Sequence, residues 1–482
     1  MKNRLSVQDP VLHLSVSALI VLTIAITNWP LWLKIVLSII VVAVALVAVD
    51  NRLFTTWIDL VIKTKRPTRM PKISSADLGC IALPGDDCAV RWEGDELVAL
   101  IALHANPFTP TIVANGRTIH DDCVDSELVE TLLARAGAEF SADIVSAGWR
   151  VARRSVTSVS GSYEQMVGKD PCPAFRRTWI LVRVDPVTLP VSQTIWRGGG
   201  VVGAANALVA AATRLATGLS NAGVDARLAR SFQMYVDLTG VGQIQQQWST
   251  LRQPGSYTTV FSAPGGPDVW WAQPADRTVT RLRVQAGEQP RSVVALTTAR
   301  PIERDPDGWV RLRGTQLDGL RGFTPVIDTH HHLPVGSAGI LMGQTIPSAA
   351  APVPAPIYVP FDAAEAAVEV SNPVLLVQLA FRAAAAGASI CLPPAYSAVA
   401  AALGGVVDPA YALLHWPDPA GKTWVVARPG VEQTVLWTDR RIVLPRGRGS
   451  MLGDDKLAFP IQPIDGQEEA VLGLRSGAQN GR

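Results

Sequence analysis

Two apolar runs, Val11–Trp29 and Leu31–Val49, open the chain and are separated by little more than Pro30. At about 1.5 Å per residue, a helix of roughly 19 residues nearly crosses a hydrocarbon layer of roughly 30 Å. The pattern therefore predicts a transmembrane helical hairpin over 11–49, with Val11, Ile20, Trp29, Pro30, Leu31 and Val42 as its membrane-anchor residues. Everything charged enough to fold in water comes afterwards.

Asn28-Trp29-Pro30 supplies the break. Pro30 removes a backbone donor and disfavours helical angles at Trp29, whose indole suits the interfacial depth. Lys2 and Arg4 precede the first run, and Arg52, Lys63, Lys65, Arg66, Arg69 and Lys72 follow the second, so the positive-inside rule puts both flanks in the cytoplasm. Lys34 can snorkel to the outer headgroups, and His13 reads as an interfacial side chain. A cleaved signal peptide does not fit, because the first run is too long, no small-x-small site ends it and a second run follows at once.

The balance of 43 Lys+Arg against 41 Asp+Glu in 482 residues argues against a nucleic-acid surface, which needs a clustered basic excess. Basic residues concentrate only at 63–72, where they would meet anionic lipid heads. Five scattered cysteines, Cys80, Cys88, Cys123, Cys172 and Cys391, contain no Cys-x-x-Cys pair and indicate neither a disulfide framework nor a zinc knuckle.

The organisation expected is a cytoplasmic N-terminus at 1–10, the hairpin at 11–49 and a juxtamembrane basic helix or linker at 50–72. A main cytosolic α/β domain follows at 73–345, then a Pro/Ala-rich linker at 346–357, a smaller α/β subdomain at 358–445 and a disordered tail at 446–482. In fold class this is an N-terminal two-helix transmembrane hairpin followed by a cytosolic α/β (mixed α+β) region of two subdomains. Leu53, Trp57, Leu60 and Val61 recur at helical spacing, which extends the second helix through Asp50–Lys63. Glu96–His104 reads as a strand, Thr111–His120 as a hairpin around Asn115-Gly116, and Ser126 to about Ala136 as a helix stopped by Gly137. Ile144–Ser146, Thr178–Val184, Val224–Leu228, Tyr257–Ser262, Val269–Ala272, Thr278–Val284 and Val293–Thr298 read as strands, and Val201–Ala222 as an Ala/Leu helix. Beyond the linker, Pro373–Gly387 and Tyr396–Leu403 read as helices and Ala388–Cys391, Trp424–Ala427 and Thr434–Trp437 as strands.

The chemical motifs all have plainer readings. Gly198-x-Gly200-x-x-Gly203 matches a dinucleotide fingerprint and has Asp225 downstream, but Pro186 and Pro190 separate it from the preceding strand, which favours a loop leading into a helix. Gly421-Lys422-Thr423 lacks the earlier glycine of a phosphate loop, since Trp416 stands there. His330-His331-His332 with Asp328 could bind metal, yet neighbours on a strand point to opposite faces. Asp305-Pro306-Asp307-Gly308 carries paired acids and is also a strong turn sequence. Asp86-Asp87 and Asp121-Asp122 read as turn or cap residues, and Gly336-Ser337-Ala338-Gly339 misses nucleophile-elbow spacing. No catalytic, cofactor-binding or metal-ligating residue is assigned.

The chain is instead rich in tryptophan, fourteen copies, and large amphipathic rings suit protein interfaces as well as cores. Trp57, Trp149, Trp270 and Trp271 are the candidate interface residues.

Five ordered segments carry a resemblance: Asn106–Thr111 (NPFTPT), Asp143–Arg150 (DIVSAGWR), Arg176–Ile180 (RRTWI), Gly265–Trp271 (GGPDVWW) and Pro334–Gly339 (PVGSAG). Together with the N-terminal hairpin, over roughly residues 10 to 440, the chain resembles EccE, a membrane component of mycobacterial type VII (ESX) secretion systems. The resemblance implies a non-catalytic subunit of an inner-membrane complex, assembled with EccB, EccC, EccD and the mycosin protease, in which EccC supplies the ATPase. It also implies a place at the periphery of a hexameric assembly, and membrane lipids as further partners. The alternative on residues alone is a membrane-tethered sugar-nucleotide glycosyltransferase using Asp305 and Asp307 to hold a metal-bound diphosphate.

Overall fold

The computed structural model describes residues 21–46 except 25 and 28, the pairs 48–49 and 52–53, and 81–407 with short interruptions, followed by strands at 413–415, 423–426, 435–438, 441–444 and 457–462. Val11, His13, Ile20, Trp57, the basic stretch 63–72, Cys80 and Gly421-Lys422 lie outside the described residues.

Residues 21–24 are helical, and Leu31–Leu46 (α1) is a helix whose Leu33 and Lys34 N–H groups bond to the Pro30 carbonyl. Its Leu31, Trp32, Ile35 and Val36 side chains are exposed. The expected continuation of the helix through Asp50–Lys63 fails at Arg52–Leu53, which is a strand; Asp50, Asn51 and 54–63 lie outside the described residues. The helix ends at Leu46, and Ala48–Val49 pairs antiparallel with Arg52–Leu53.

The fold is built on a mainly antiparallel sheet made from near-continuous apolar sequence. Its principal strands are β1 (Glu96–His104), β2 (Ser141–Trp149), β3 (Phe175–Val184), β4 (Asp225–Leu228), β5 (Ser256–Ser262), β6 (Arg277–Gln285) and β7 (Arg291–Thr298), in spatial order β4-β1-β3-β2-β6-β7-β5. Strand side chains alternate, so an antiparallel sheet with one wet face would show alternating polarity. Here both faces are covered. Leu97, Ala99 and Ile101 of β1, Ile144 of β2, Ile180 and Val182 of β3 and Leu282 of β6 lie on one face, under helices α2 (Ser126–Ala134) and α3 (Gly200–Asn221). Val98, Leu100, Val145, Trp179, Leu181 and Val279 lie on the other, under Phe232 and Tyr235 beside α4 (Gln233–Thr239) and Leu317 and Leu320 of α6 (Gln316–Arg321). α5 is the short helix Pro267–Trp271.

α3 is the one helix among the described residues long and apolar enough to cross a membrane by length and composition. Its Ala204, Leu208, Ala211, Leu215 and Leu219 are buried on the sheet, as a core helix requires.

The tight Thr111–Ala114/Arg117–His120 hairpin forms as expected: Asn115 (φ 52°) and Gly116 (φ 73°) supply the two left-handed residues of a type I′ turn. This hairpin belongs to a second, twelve-stranded sheet that also takes Ile340–Thr345, Pro356–Val359 and the short strands from Ala366–Val368 to Leu457–Gln462. Helices Thr157–Val167 and Pro373–Ala386 pack on it through Tyr163, Val377, Phe381 and Ala384. The sheet thus draws on both sides of the Pro/Ala-rich stretch, and Leu457–Gln462 is a strand inside the segment expected to carry no element.

Two further assignments change. Val269–Ala272 is not a strand: Gly266 (φ 84°), Pro267 at the first helical position and Asp268 in the first turn start helix α5 instead. Asp86 and Asp87 sit in a strand, Asp86–Cys88, paired with Ile81–Leu83, rather than in a turn.

Burying both faces forces the charged residues of the sheet to be neutralised in place. Asp143 of β2 is fully buried and accepts from Arg183 of β3, Arg281 of β6 and Arg283, the last at 2.6 Å to Oδ1. Arg281 also donates to the Tyr235 hydroxyl (2.8 Å) and the Leu320 carbonyl (2.9 Å), while Arg183 reaches Glu93, Glu96 and the Arg321 carbonyl. Burial alone would raise the Asp143 carboxyl, but the fields of Arg283, Arg183 and Arg281 outweigh it and hold it well below the carboxylate range.

Removing that carboxylate strands buried guanidiniums, so Asp143→Asn is expected to cost about 3–5 kcal/mol, read as a lowered denaturant midpoint. Because the folded pKa is depressed, the stabilisation from Asp143 is present above the unfolded value of about 3.9 and is lost as pH falls below it. Acid unfolding of the wild type should steepen below about pH 4, and the Asn variant should lose part of that dependence.

Candidate functional site

The five sequence segments converge on one place, the junction between the two sheets. Arg176, at the start of β3, is buried; its backbone N–H donates to Ser337 Oγ (2.8 Å), its Nε to the Gly336 carbonyl (2.7 Å), and its guanidinium lies 5.4 Å from the Trp271 ring. Thr178 Oγ1 donates to the Val335 carbonyl (2.8 Å) and shares a hydrogen bond with Ser146 of β2 (2.9 Å). Arg150 donates to the carbonyls of Ala272 (3.0 Å) and Gly168 (2.6 Å). Asn106 N–H reaches Asp122 Oδ2 (2.7 Å), and the Val335 N–H bonds to the Asp122 carbonyl (3.0 Å).

The glycine in Asp143–Arg150 has a steric reason. A Cβ on Gly148 would sit 1.9 Å from the Phe175 carbonyl oxygen, so only hydrogen allows β2 and β3 to approach here.

Thr111, Thr118, His120, Pro171, Pro173, Arg176, Pro267, Trp271, Pro334 and Ala338 line a cavity of about 10 Å³ at this junction, room for about one water. His120 bonds through Nδ1 to Thr111 (3.2 Å), and its buried Nε2 has no protein partner. Burial first, then the Arg176 charge, lowers His120 to about 4. Burial raises Asp122 to about 6 against the opposing Asn106 N–H and Arg176 field. A volume of this size holds no substrate; the chemistry on show is the pairing of buried polar groups that locks two sheets together.

The expected site residues fare differently. Trp270 and Trp271, proposed for an interface, are core side chains at 0% and 2% exposure, with Trp270 Nε1 donating to the Ala263 carbonyl (2.6 Å). Their position in helix α5 turns both rings into the junction, which sequence spacing did not reveal. Trp149 is partly buried, stacked 4.3 Å from Phe175, and its Nε1 bonds to the Ala386 carbonyl (2.9 Å), tying the central sheet to the Pro373–Ala386 helix. Trp29 and Leu31 are exposed at the start of α1.

Asp305 is paired with Arg311, and Asp307 is an exposed turn residue, so the acids of the glycosyltransferase alternative do not face a common cleft. The histidines diverge: His330 meets Glu130 (3.1 Å), His331 meets Asp328 (3.1 Å) and His332 lies in the strand His332–Pro334. Among the described residues no group of three His, Cys, Asp or Glu side chains could hold a metal ion. Gly198 and Gly200 lead into α3 as a loop and helix start, and Asp225 pairs with Arg227. What sequence reasoning missed is the Arg176 clamp and an exposed apolar turn at 187–202, whose only signal was the near absence of charge from 186 to 213.

Arg176→Met keeps most of the volume but orphans the Gly336 carbonyl, an expected loss of about 1–3 kcal/mol by chemical denaturation. The same change should move the His120 titration upward from about 4, seen in the ring resonances by NMR, because one of its two depressing influences is gone.

The sequence profile of the family described as "Putative type VII ESX secretion system translocon, EccE" matches residues 172–263, which include Arg176, Thr178, α3 and the exposed turn. The chain is 40% identical over 408 residues to the ESX-1 secretion system protein EccE1 in two strains of Mycobacterium tuberculosis, covering 84% of this chain and 86% of the relative. It is 38% identical over 443 residues to the protein of the same name in Mycolicibacterium smegmatis, covering 91% of each. With identity of this level across most of both chains, the protein belongs to the EccE family.

Proposed function

We propose that this chain is a non-catalytic scaffold subunit of a type VII (ESX) secretion complex in the inner membrane, supporting protein export. The observation that carries the reading is that the five ordered segments are spent on a buried structural junction: Arg176 bonds to Ser337 and Gly336 and packs on Trp271, and Thr178 bonds to the Val335 carbonyl. EccB, EccC, EccD and the mycosin protease are its partners in this reading, and the relatives named for ESX-1 make that system the first to test. Mild-detergent extraction of a tagged chain should recover EccC and EccD in one very large particle. A lone monomer at native expression would end the scaffold reading.

The anchor belongs to the same proposal. The apolar runs Val11–Trp29 and Leu31–Val49, the second helical over Leu31–Leu46, supply two spans joined at Pro30, with both flanks and the large domain, 73–345 and 358–445, in the cytoplasm. The exposed Leu31, Trp32, Ile35 and Val36 side chains of α1 support it, because lipid offers such a surface the cover that water does not. A charge at mid-bilayer costs at least ~2.5 kcal/mol on insertion scales, so Ile20→Arg or Val42→Arg should lower recovery of the chain in the membrane complex. Membranes from either variant that hold complex at the wild-type level would remove the two-span anchor.

A further inference from the structure

Between Asp185 and Arg214 the chain carries one ionisable side chain, Arg197. The second half of this stretch is the buried face of α3, but the first half is at the surface. Trp196 and Val187 are 90% exposed, Val191 72%, Val202 62%, Ile195 58% and Val201 46%. Six large apolar side chains within sixteen residues is a patch, whereas singly scattered ones would need no explanation.

The patch is built on two short turns. Val191–Thr194 is a helical turn, Ile195–Arg197 a 3-10 turn, and both fold back on the start of α3: the Gly199 N–H bonds to the Thr194 carbonyl (3.0 Å) and Asn206 Nδ2 to the Arg197 carbonyl (2.9 Å). Arg197 Nη1 donates to the Gln193 carbonyl (2.7 Å), and Thr194 Oγ1 to the Val191 carbonyl (3.1 Å). Four carbonyls of the turn, those of Val191, Gln193, Thr194 and Arg197, are thus satisfied locally, which lowers the cost of entering a medium of low polarity.

We propose that the 187–202 turn docks on the membrane surface, with Val191, Ile195 and Trp196 at the boundary between headgroups and acyl chains and Arg197 against anionic headgroups. Charge complementarity favours lipid over a protein partner. The segment offers a tryptophan, aliphatic side chains and one cation, with no acid, which is the composition of interfacial membrane elements, whereas a protein interface surrounds its apolar centre with a polar rim. The inference rests on the anchored reading, since α1 in the bilayer keeps the domain within reach of the surface.

The test uses the full-length chain in its native membranes with a benzophenone amino acid at position 196, and separately at 32 in α1 and at 227, where the Arg227 side chain is 69% exposed on β4. After irradiation, mass spectrometry of the labelled peptides should find lipid adducts at 196 and 32 and only background at 227. A cross-link from 196 to another polypeptide, or an adduct yield at 196 no higher than at 227, overturns the docking proposal. Lipid adducts at 32 in that case show that the anchor stands without it; their absence there removes the anchor as well. Full-length Trp196→Ser in vesicles with and without phosphatidylglycerol supplies a second readout. Wild type should lose Trp196-dependent quenching by brominated lipid when the anionic lipid is omitted, and equal quenching of variant and wild type would count against the turn.

Discussion

Asp143 sets the terms for the rest of the molecule. A sheet covered on both faces has no solvent in which to leave a charge, yet β3 and β6 bring Arg183, Arg281 and Arg283 to the same face. One fully buried carboxylate shared among them, with Glu93 and Tyr235 completing the set, lets those strands lie side by side without an unpaired ion. Pairing this specific also fixes register: Asp143 lies opposite Arg283 and Leu181, and a one-residue slip would move its side chain to the apolar face under α2 and α3.

The same logic operates at the sheet junction with backbone carbonyls in place of carboxylates. Arg176 satisfies a Gly336 carbonyl that no ladder reaches, Ser337 closes on the Arg176 backbone, and Trp271 covers the guanidinium. These contacts join segments about 160 residues apart, as the Arg176–Ser337 separation of 161 illustrates. Contacts of this kind hold the two sheets in a fixed relation to each other.

Local structure was legible at several places where local rules decided it. Glu96–His104 coincides with its strand, Asn115-Gly116 makes the turn its residues favour, and the Ala/Leu helix falls within one residue of its expected limits. Two of the misses have different causes. Pro267 and Gly266 outrank the β-propensity of Val269, Trp270 and Trp271, and Asp86–Cys88 is a strand because Ile81–Leu83 is there to pair with it. Asp143 could be quoted as part of a motif but not as an ionic centre, because its partners lie 40 to 140 residues away in sequence. Membership of the family was readable from the ordered segments, while their role as a clamp needed the distances.

α1 and α3 show why apolar length is a poor guide on its own. α3 has the 22 residues and the hydropathy of a span, yet its alanine and leucine face is buried on the sheet, so its apolar content is already used within the fold. α1 has 16 described residues, and its Leu31, Trp32, Ile35 and Val36 side chains are between 45% and 74% exposed. The distinction that matters is which apolar surface remains unburied once the chain has folded. By that measure the N-terminal helix and the turn that precedes α3 fall in one class, since both keep large apolar side chains exposed among the described residues.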